Sequence, residues 1–143
     1  MQDALDLIRS AGLKATPRRR AMIALFCESL MPLSPLEVQA ALKADFSRCG
    51  LPGIYRNLET LAECGILFRL AGFRRERHYA LCSGLKHHHH HHIICVSCGR
   101  TGRIDECRYP DGIMVGGYRV LSHIAQFEGI CPSCLSETTR DQP

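Results

Sequence analysis

The chain has 143 residues, 45% of them hydrophobic and 22% charged, a composition that excludes a disordered protein and allows one ordinary domain or two very small ones. It contains no apolar run long enough to cross a membrane and no secretory signal pattern, so we expect a cytoplasmic protein without a membrane partner. The formal net charge of +4 arises in residues 1–85, which hold 12 Lys and Arg against 8 Asp and Glu, and this excess suits a polyanionic partner.

Four helices are predicted in the first part of the chain from apolar residues at helical spacing. Their predicted ranges are residues 2–11, 17–28, 35–44 and 52–65. Thr16 before Pro17 is typical of a helix start, and Ser34 with Glu37 has the spacing of a capping box. The three arginines at 18–20 crowd the start of the second helix, where positive charge opposes the helix dipole. They are therefore not there to stabilise the helix.

Two short β-like segments follow the helices, over residues 66–70 and 73–81, and the second carries three arginines. Helices followed by a basic hairpin predict a winged helix-turn-helix, with the fourth helix as the recognition helix and the hairpin as the wing. Tyr55 and Arg56 lie near the N-terminus of that helix, where such proteins read bases. The alternative is that Tyr55 packs and that Arg56 is a solvated surface charge.

The rest of the chain is rich in cysteine and histidine and is predicted to form a second domain. Residues 82–92 are interpreted as a hinge, and three strands are predicted after it, over residues 93–95, 101–104 and 118–127. We therefore predict an α+β fold with a winged-helix domain over residues 1–84 and a small Cys/His-rich domain over residues 85–143.

Two CxxC pairs are the strongest chemical signal in the sequence. Nine cysteines in a chain expected to be cytoplasmic predict metal ligands before disulfides. Cys95 and Cys98 form one pair and Cys131 and Cys134 the other, and four thiolates complete the tetrahedron of a closed, structural zinc site. A redox CxxC, accidental cysteines and an iron–sulfur cluster are the alternatives. Three isolated cysteines are expected to be small packing residues: Cys27, Cys49 and Cys64. Packing is also an alternative for Cys107, and for Cys82 beside metal binding.

A run of six histidines, His87–His92, lies inside the chain, whereas purification tags are usually terminal. In extended backbone successive side chains face opposite sides, so one tract can serve two metal sites. His90 and His92 would share one side, and His89 and His91 the other. Cys82 lies just upstream and adds a soft ligand that favours zinc, although imidazole also suits iron, nickel and copper. The residues that could complete these sites are His78, Asp105, Glu106 and, beside His89 and His91, His123.

Four segments together resemble the ferric uptake regulator family. They are TPRR (16–19), GIYRNLETL (53–61), HHHHIICVSCG (89–99) and GICPSC (129–134), in the order in which the family has them. The resemblance implies an N-terminal winged helix, a C-terminal α/β dimerisation domain, and a metal-responsive transcriptional repressor rather than an enzyme. It also implies a homodimer that binds double-stranded DNA at a palindromic operator.

The resemblance assigns roles to individual residues by position. It implies structural zinc ligands at Cys95, Cys98, Cys131 and Cys134. It implies a regulatory site that contains Cys82, His90 and His92, and a second inducer site that contains His89, His91 and His123. It implies DNA contacts at Tyr55, at Arg56, and at Arg18 or Arg19.

The resemblance leaves the sensed metal open. Cys82 before the histidine tract is similar to the zinc uptake regulator branch, so zinc sensing and control of zinc-uptake genes are favoured, with iron, manganese or nickel sensing as alternatives. The segment 105–117 is shorter than in the family, whose helix supplies an acidic ligand there, and that ligand is left unassigned among Asp105, Glu106 and Asp111. A metal-storage or metal-transfer protein that uses the histidine run is the remote alternative.

Overall fold

The computed structural model describes residues 1–71, 76–82 and 89–138, in two compact units, Met1–Leu85 and Lys86–Pro143. Each unit is a small fold with its own secondary structure. Among the described residues, none of the helices combines the length and the apolar character that a membrane crossing demands.

The first unit opens with four helices, as the sequence predicts. They are α1 (Gln2–Ser10), α2 (Pro17–Glu28), α3 (Pro35–Leu42) and α4 (Leu51–Glu63). The predicted capping box is formed, because the Ser34 amide donates to Glu37 Oε2 at 2.7 Å and the Glu37 amide donates to Ser34 Oγ at 3.3 Å. Helix α3, predicted to run to about residue 44, ends two residues earlier at Leu42, and the Asp45 amide closes a turn onto the Leu42 carbonyl at 3.2 Å.

A β-hairpin follows α4 and completes the first unit. Its strands are β1 (Leu67–Leu70) and β2 (His78–Leu81), which pair antiparallel. The described part of the second strand is shorter than predicted, and Phe73, Arg74 and Arg75 lie outside the described residues. Backbone hydrogen bonds of 2.9 and 3.0 Å between Leu33 and Tyr79 attach the hairpin to the segment before α3.

The first unit has a continuous apolar core. Side chains from all four helices and from the hairpin are almost completely covered, among them Ile8, Ile23, Phe26, Ile54, Leu58, Leu61 and Tyr79. Each such side chain contributes about 1.5–3 kcal/mol through burial. Cys49 is buried and Cys64 half-buried, but Cys27 is exposed, so the expectation that Cys27 packs is wrong. The inner face of α2 is occupied by Met22, Ile23 and Phe26, and the next residue, Cys27, points outward.

The described part of the second unit, residues 89–138, contains five strands and a short helix. They are β3 (His91–Cys95), β4 (Thr101–Ile104), β5 (Met114–Val115), β6 (Tyr118–Arg119), β7 (Gln126–Gly129) and α5 (Pro132–Thr138). The predicted single strand over residues 118–127 is wrong. Only its two ends are strands, because β6 pairs with β5 in a separate hairpin that turns at Gly116 and Gly117, both with positive φ.

The main sheet of the second unit has the order β4-β3-β7. The central strand β3 pairs antiparallel with β4 and parallel with β7. Among the described apolar residues of this unit, only Ile94, Cys95 and Cys134 are buried. The sheet is therefore too poor in covered apolar side chains to be held by a core of the kind found in the first unit.

Candidate metal centres

The two CxxC pairs meet at one edge of the three-stranded sheet. Cys95 is the last residue of β3 and pairs with Gly129, the last residue of β7, so Cys131 follows within two residues of the same edge. Parallel strands end at the same edge of a sheet, and the parallel pairing of β3 with β7 therefore brings both pairs together. This long-range pairing completes the sulfur cluster of Cys95, Cys98, Cys131 and Cys134.

The geometry of the sulfur cluster suits a tetrahedral ion. All four Sγ atoms lie within 4.8 Å of one another, and Cys98 Sγ is 3.7 Å from Cys131 Sγ. A zinc–sulfur bond of about 2.3 Å requires sulfur–sulfur edges of about 3.8 Å. The first knuckle is shaped by Gly99, whose φ of 79 allows its amide to donate to the Cys95 carbonyl at 2.8 Å. The four residues fit a closed site for zinc.

Hydrogen bonds and neighbouring thiols shift the pKa values of the sulfur cluster in opposite directions. The backbone amides of Cys98 and Cys131 lower the pKa of Cys95 to about 6. The Ser97 hydroxyl lowers the pKa of Cys134, but the neighbouring thiols of Cys131 and Cys98 raise it, and the resulting pKa is about 12. Thiolates so close together repel one another, and a divalent cation removes that repulsion when it binds.

A second cluster lies at the opposite edge of the same sheet. His91 begins β3 and pairs with Ile104, the last residue of β4, and Cys107 follows β4 within three residues. His123 precedes β7, which begins beside His92. The ends of three strands therefore bring together the histidine–cysteine cluster of His89, His91, Cys107 and His123, whose ligand atoms lie within 4.8 Å of one another.

The imidazoles of the histidine–cysteine cluster point their Nε2 atoms at one another. His89 Nε2 is 3.2 Å from His91 Nε2 and 3.0 Å from His123 Nε2. Burial lowers the pKa of His91, as do His89 and His123, while a hydrogen bond with the Ala125 backbone opposes that shift. That bond holds the ring with Nε2 toward the cluster. The Nδ1 atom of His123 is buried without a hydrogen-bond partner in the part of the chain that the structure describes.

The histidines alternate across the strand as the sequence predicts. The rings of His90 and His92 lie 4.8 Å apart, on the side of β3 away from His89 and His91. Burial lowers the pKa of His92 to about 4, with smaller effects from His90 and Arg103. This imidazole is therefore neutral at physiological pH and offers a lone pair. Cys82 is a buried residue of the first unit, and its amide donates to the Ile66 carbonyl at 2.9 Å.

Other candidate ligands are placed elsewhere. Asp105 binds the Arg103 guanidinium, with Nε at 2.5 Å, and Glu106 and Asp111 are exposed outside both clusters of the second unit. His78 is buried in β2, and its Nδ1 lies 2.9 Å from the Glu76 carbonyl. The structure brings Cys107, rather than one of these acids, to His123. The sequence left packing open for Cys107 and did not predict it as a ligand, although it stands in the segment from which a fourth ligand was expected.

Helix α4 presents two different faces in the first unit. Ile54, Leu58 and Leu61 pack into the core, while Tyr55 and Arg56 are exposed. The exposed pair lies in the first two turns of the helix. This arrangement leaves both side chains available to a partner.

Two of the arginines at the start of α2 are partly engaged within the first unit. Arg18 donates to the Arg48 carbonyl and lies 5.5 Å from the ring centroid of Phe46. Arg19 donates to Asn57 Oδ1 at 3.1 Å and to the Lys14 carbonyl at 2.7 Å. Both are half-buried, and Arg19 connects α2 to α4.

Comparison with known proteins places this arrangement in a family. The sequence profile of the Ferric uptake regulator family matches residues 10–112. The ferric uptake regulation protein of Staphylococcus aureus is 29% identical over 133 residues, which are 92% of this chain and 96% of that protein. The peroxide operon regulator of Bacillus subtilis is 25% identical over 142 residues, with 94% and 92% covered.

Solved structures agree with the sequence comparison. The ferric uptake regulator of Francisella tularensis with iron has a TM-score of 0.56 at 29% identity, with 87% of this chain and 96% of that chain covered. A zinc uptake regulator complexed with zinc and DNA has a TM-score of 0.72 at 18% identity, with 95% and 93% covered, and this likeness concerns the fold alone. The predicted fold class and the resemblance are confirmed. The chain belongs to the ferric uptake regulator family and is a metal-responsive transcriptional regulator.

Proposed function

We propose that the protein is a homodimeric, zinc-responsive repressor that binds a palindromic operator in double-stranded DNA and controls zinc-uptake genes. Residues 1–84 would form the DNA-binding domain and residues 85–143 the metal-binding dimerisation domain. Such a repressor acts where the chromosome is, in the cytoplasm, and no catalytic step belongs to the proposal. The family of metal-responsive regulators supports its outline.

The choice of zinc is supported by the donor atoms of the second unit, which are sulfur and imidazole nitrogen. Both clusters of that unit consist of thiols and imidazoles, without a carboxylate among the described residues. Sulfur and imidazole donors in fourfold sets are typical of zinc, whereas manganese and iron sites more often include oxygen ligands. We propose zinc as the structural ion of the four cysteines. Iron, manganese and nickel are the alternatives for the sensed metal.

We propose that Cys82, His90 and His92 hold the regulatory ion. The proposal rests on the order of these residues in the chain, on the shared side of His90 and His92, and on the neutral imidazole of His92. Further ligands would come from His78, Asp105, Glu106 or Asp111. A bound ion supplies a bridge between its ligands, and it changes DNA affinity only through a difference in its affinity for two conformations of the dimer.

We propose that α4 enters the major groove with Tyr55 and Arg56 toward the bases. Their exposure near the N-terminal end of a helix with a buried opposite face supports this role. Arg18 and Arg19 would add positive charge for phosphates while their internal hydrogen bonds hold the helices in place. Binding should therefore weaken as the salt concentration rises.

The test compares Cys82→Ser with Cys27→Ser, because Cys27 is an exposed cysteine outside the proposed sites. The probe is a duplex selected from a random library by the zinc-loaded wild-type protein. We expect zinc to tighten wild-type and Cys27→Ser binding by roughly 5- to 150-fold, the usual range of allosteric coupling, and to leave Cys82→Ser nearly unchanged. Binding is measured by gel shift with zinc, iron(II), manganese and nickel.

Three other results would contradict the role of Cys82, the identity of the sensed metal or the regulatory function. An unchanged zinc response in Cys82→Ser would remove Cys82 from the sensor. A larger response to iron, manganese or nickel would change the sensed metal. Failure to select any duplex, together with many loosely held ions, would indicate metal storage or transfer instead of regulation.

A further inference from the structure

We infer that Cys107 is the fourth ligand of a closed site formed with His89, His91 and His123, and that its thiolate makes this site select zinc over manganese and iron(II). The inference concerns metal binding by the second unit alone. It does not depend on DNA binding or on the role proposed for Cys82.

The contacts of Cys107 place its sulfur among the imidazole nitrogens. Cys107 Sγ lies 3.1 Å from His123 Nε2, and His123 Nε2 lies 3.2 Å from His91 Nε2. Zinc–nitrogen bonds of about 2.0–2.1 Å in a tetrahedron require nitrogen–nitrogen edges of about 3.3 Å. The cluster already has nearly these edges, so a tetrahedral ion needs only small movements of the side chains.

The backbone orients Cys107 toward the other three ligands. The Tyr109 amide donates a hydrogen bond to Cys107 Sγ at 3.2 Å, which fixes the position of the sulfur. The nearby acid that could compete, Asp105, is bound to Arg103. The thiol and not a carboxylate is therefore the group presented to the histidines.

The cluster lies at both ends of a long segment between β4 and β7, so metal binding is expected to order that segment. Cys107 and His123 flank residues 108–122, which leave the sheet after β4, form the β5–β6 hairpin and return to β7. No residue of this segment, 108–122, is buried. A shared ion would anchor both of its ends to His91 on β3, where few other covered contacts are available.

The donor set determines the class of metal. Three imidazoles and one thiolate give a soft, four-coordinate site without an open position, which suits zinc and its spectroscopic substitute cobalt(II). Manganese and iron(II) favour sites with oxygen ligands and more than four donors. With a carboxylate in place of the Cys107 thiolate, the site would lose its preference for zinc over manganese and iron(II).

The test uses the full chain, reduced, with Cys107→Ser, Cys107→Asp and the exposed-cysteine control Cys27→Ser. Each protein is loaded with zinc or with manganese, and bound metal is measured by elemental analysis after dialysis against a competing chelator. We expect Cys107→Ser to bind zinc at one site at least tenfold more weakly than the wild type and Cys27→Ser, since losing a ligand costs at least as much as losing a group that supports one. Zinc at the four-cysteine site should be retained.

Hydrogen exchange and metal preference distinguish a ligand role for Cys107 from a packing role. Zinc should slow amide hydrogen exchange in residues 108–122 of the wild type, and this protection should be lost in Cys107→Ser. Cys107→Asp should bind manganese more tightly relative to zinc than the wild type does. Zinc affinity and exchange protection in Cys107→Ser equal to those of Cys27→Ser would overturn the inference, as would an unchanged zinc-to-manganese ratio in Cys107→Asp.

Discussion

The two units of the protein hold their structures in different ways. In the first, four helices and a hairpin cover a continuous set of apolar side chains, with Ile54, Leu58 and Leu61 fully buried. In the second, the only buried apolar residues among those described are Ile94 and two cysteines of the sulfur cluster. A small domain that buries so little within one chain usually needs a metal, another cross-link or a partner subunit.

This difference suits a regulator that responds to metal. The exposed residues of α4 are carried by a unit whose core is made of apolar side chains and does not depend on an ion. The second unit has its candidate metal ligands at both edges of one sheet. The free energy of metal binding therefore contributes directly to the stability of the folded unit. If the units differ as their interiors suggest, they should respond differently to loss of metal and to truncation of a buried side chain.

The largest effect is expected from removing the sulfur cluster. Cys95→Ser, or chelation of the metal from the wild type, should unfold the second unit, because structural zinc sites contribute about 10–16 kcal/mol, comparable to the stability of a whole domain. The first unit should keep its slow amide exchange. The measurement is hydrogen exchange by mass spectrometry, with Cys27→Ser as the control. A second unit that stays protected without metal would show that the two units do not differ in this way.

A core truncation should produce the opposite pattern. Leu58→Ala removes a fully buried side chain from α4, and we expect the first unit to lose about 2–5 kcal/mol of unfolding free energy. Zinc content and exchange in the second unit should not change. Denaturant unfolding measures the loss, and Leu30→Ala is the matched control because Leu30 is 74% exposed. Equal losses in the two variants would contradict the assigned core.

The smallest effect concerns an ion-pair network within the first unit. Glu59 on α4 accepts hydrogen bonds from Arg69 on β1, from Tyr79 on β2 and from Arg77 just before β2. The Arg69 bond holds the pKa of Glu59 below its usual value of 4.5. Glu59→Gln should cost less than about 1 kcal/mol at neutral pH, because the network is partly exposed.

The pH dependence of this network has a definite sign. A lowered pKa means that the unfolded state binds the proton more readily, so the contribution of Glu59 is present above pH 4.5 and is lost as the pH falls through its lower folded value. The wild type should therefore lose its advantage over Glu59→Gln in acid. Unfolding curves at several pH values measure it, with the exposed Glu63→Gln as control. A constant difference across that range would exclude the proposed electrostatic origin.

Local features of this protein could be predicted from the sequence because they depend on neighbouring residues. The caps at Thr16 and Ser34 began their helices where predicted, since capping requires only a side chain and the next turn of backbone. The alternation of His89–His92 follows in the same way from the geometry of extended backbone. The cysteine pairs predicted a four-sulfur cluster because two residues between cysteines form a knuckle.

Only the tertiary structure decided which distant segments meet. The parallel pairing of β3 with β7 brings Cys131 to Cys95 at one edge and His123 to His91 at the other, and no local rule specifies that pairing. The same pairing, with the end of β4, selects Cys107 over the acids of its segment. Local geometry depends on bonds and short contacts that the sequence states directly, whereas a ligand set depends on the register of strands far apart in the chain.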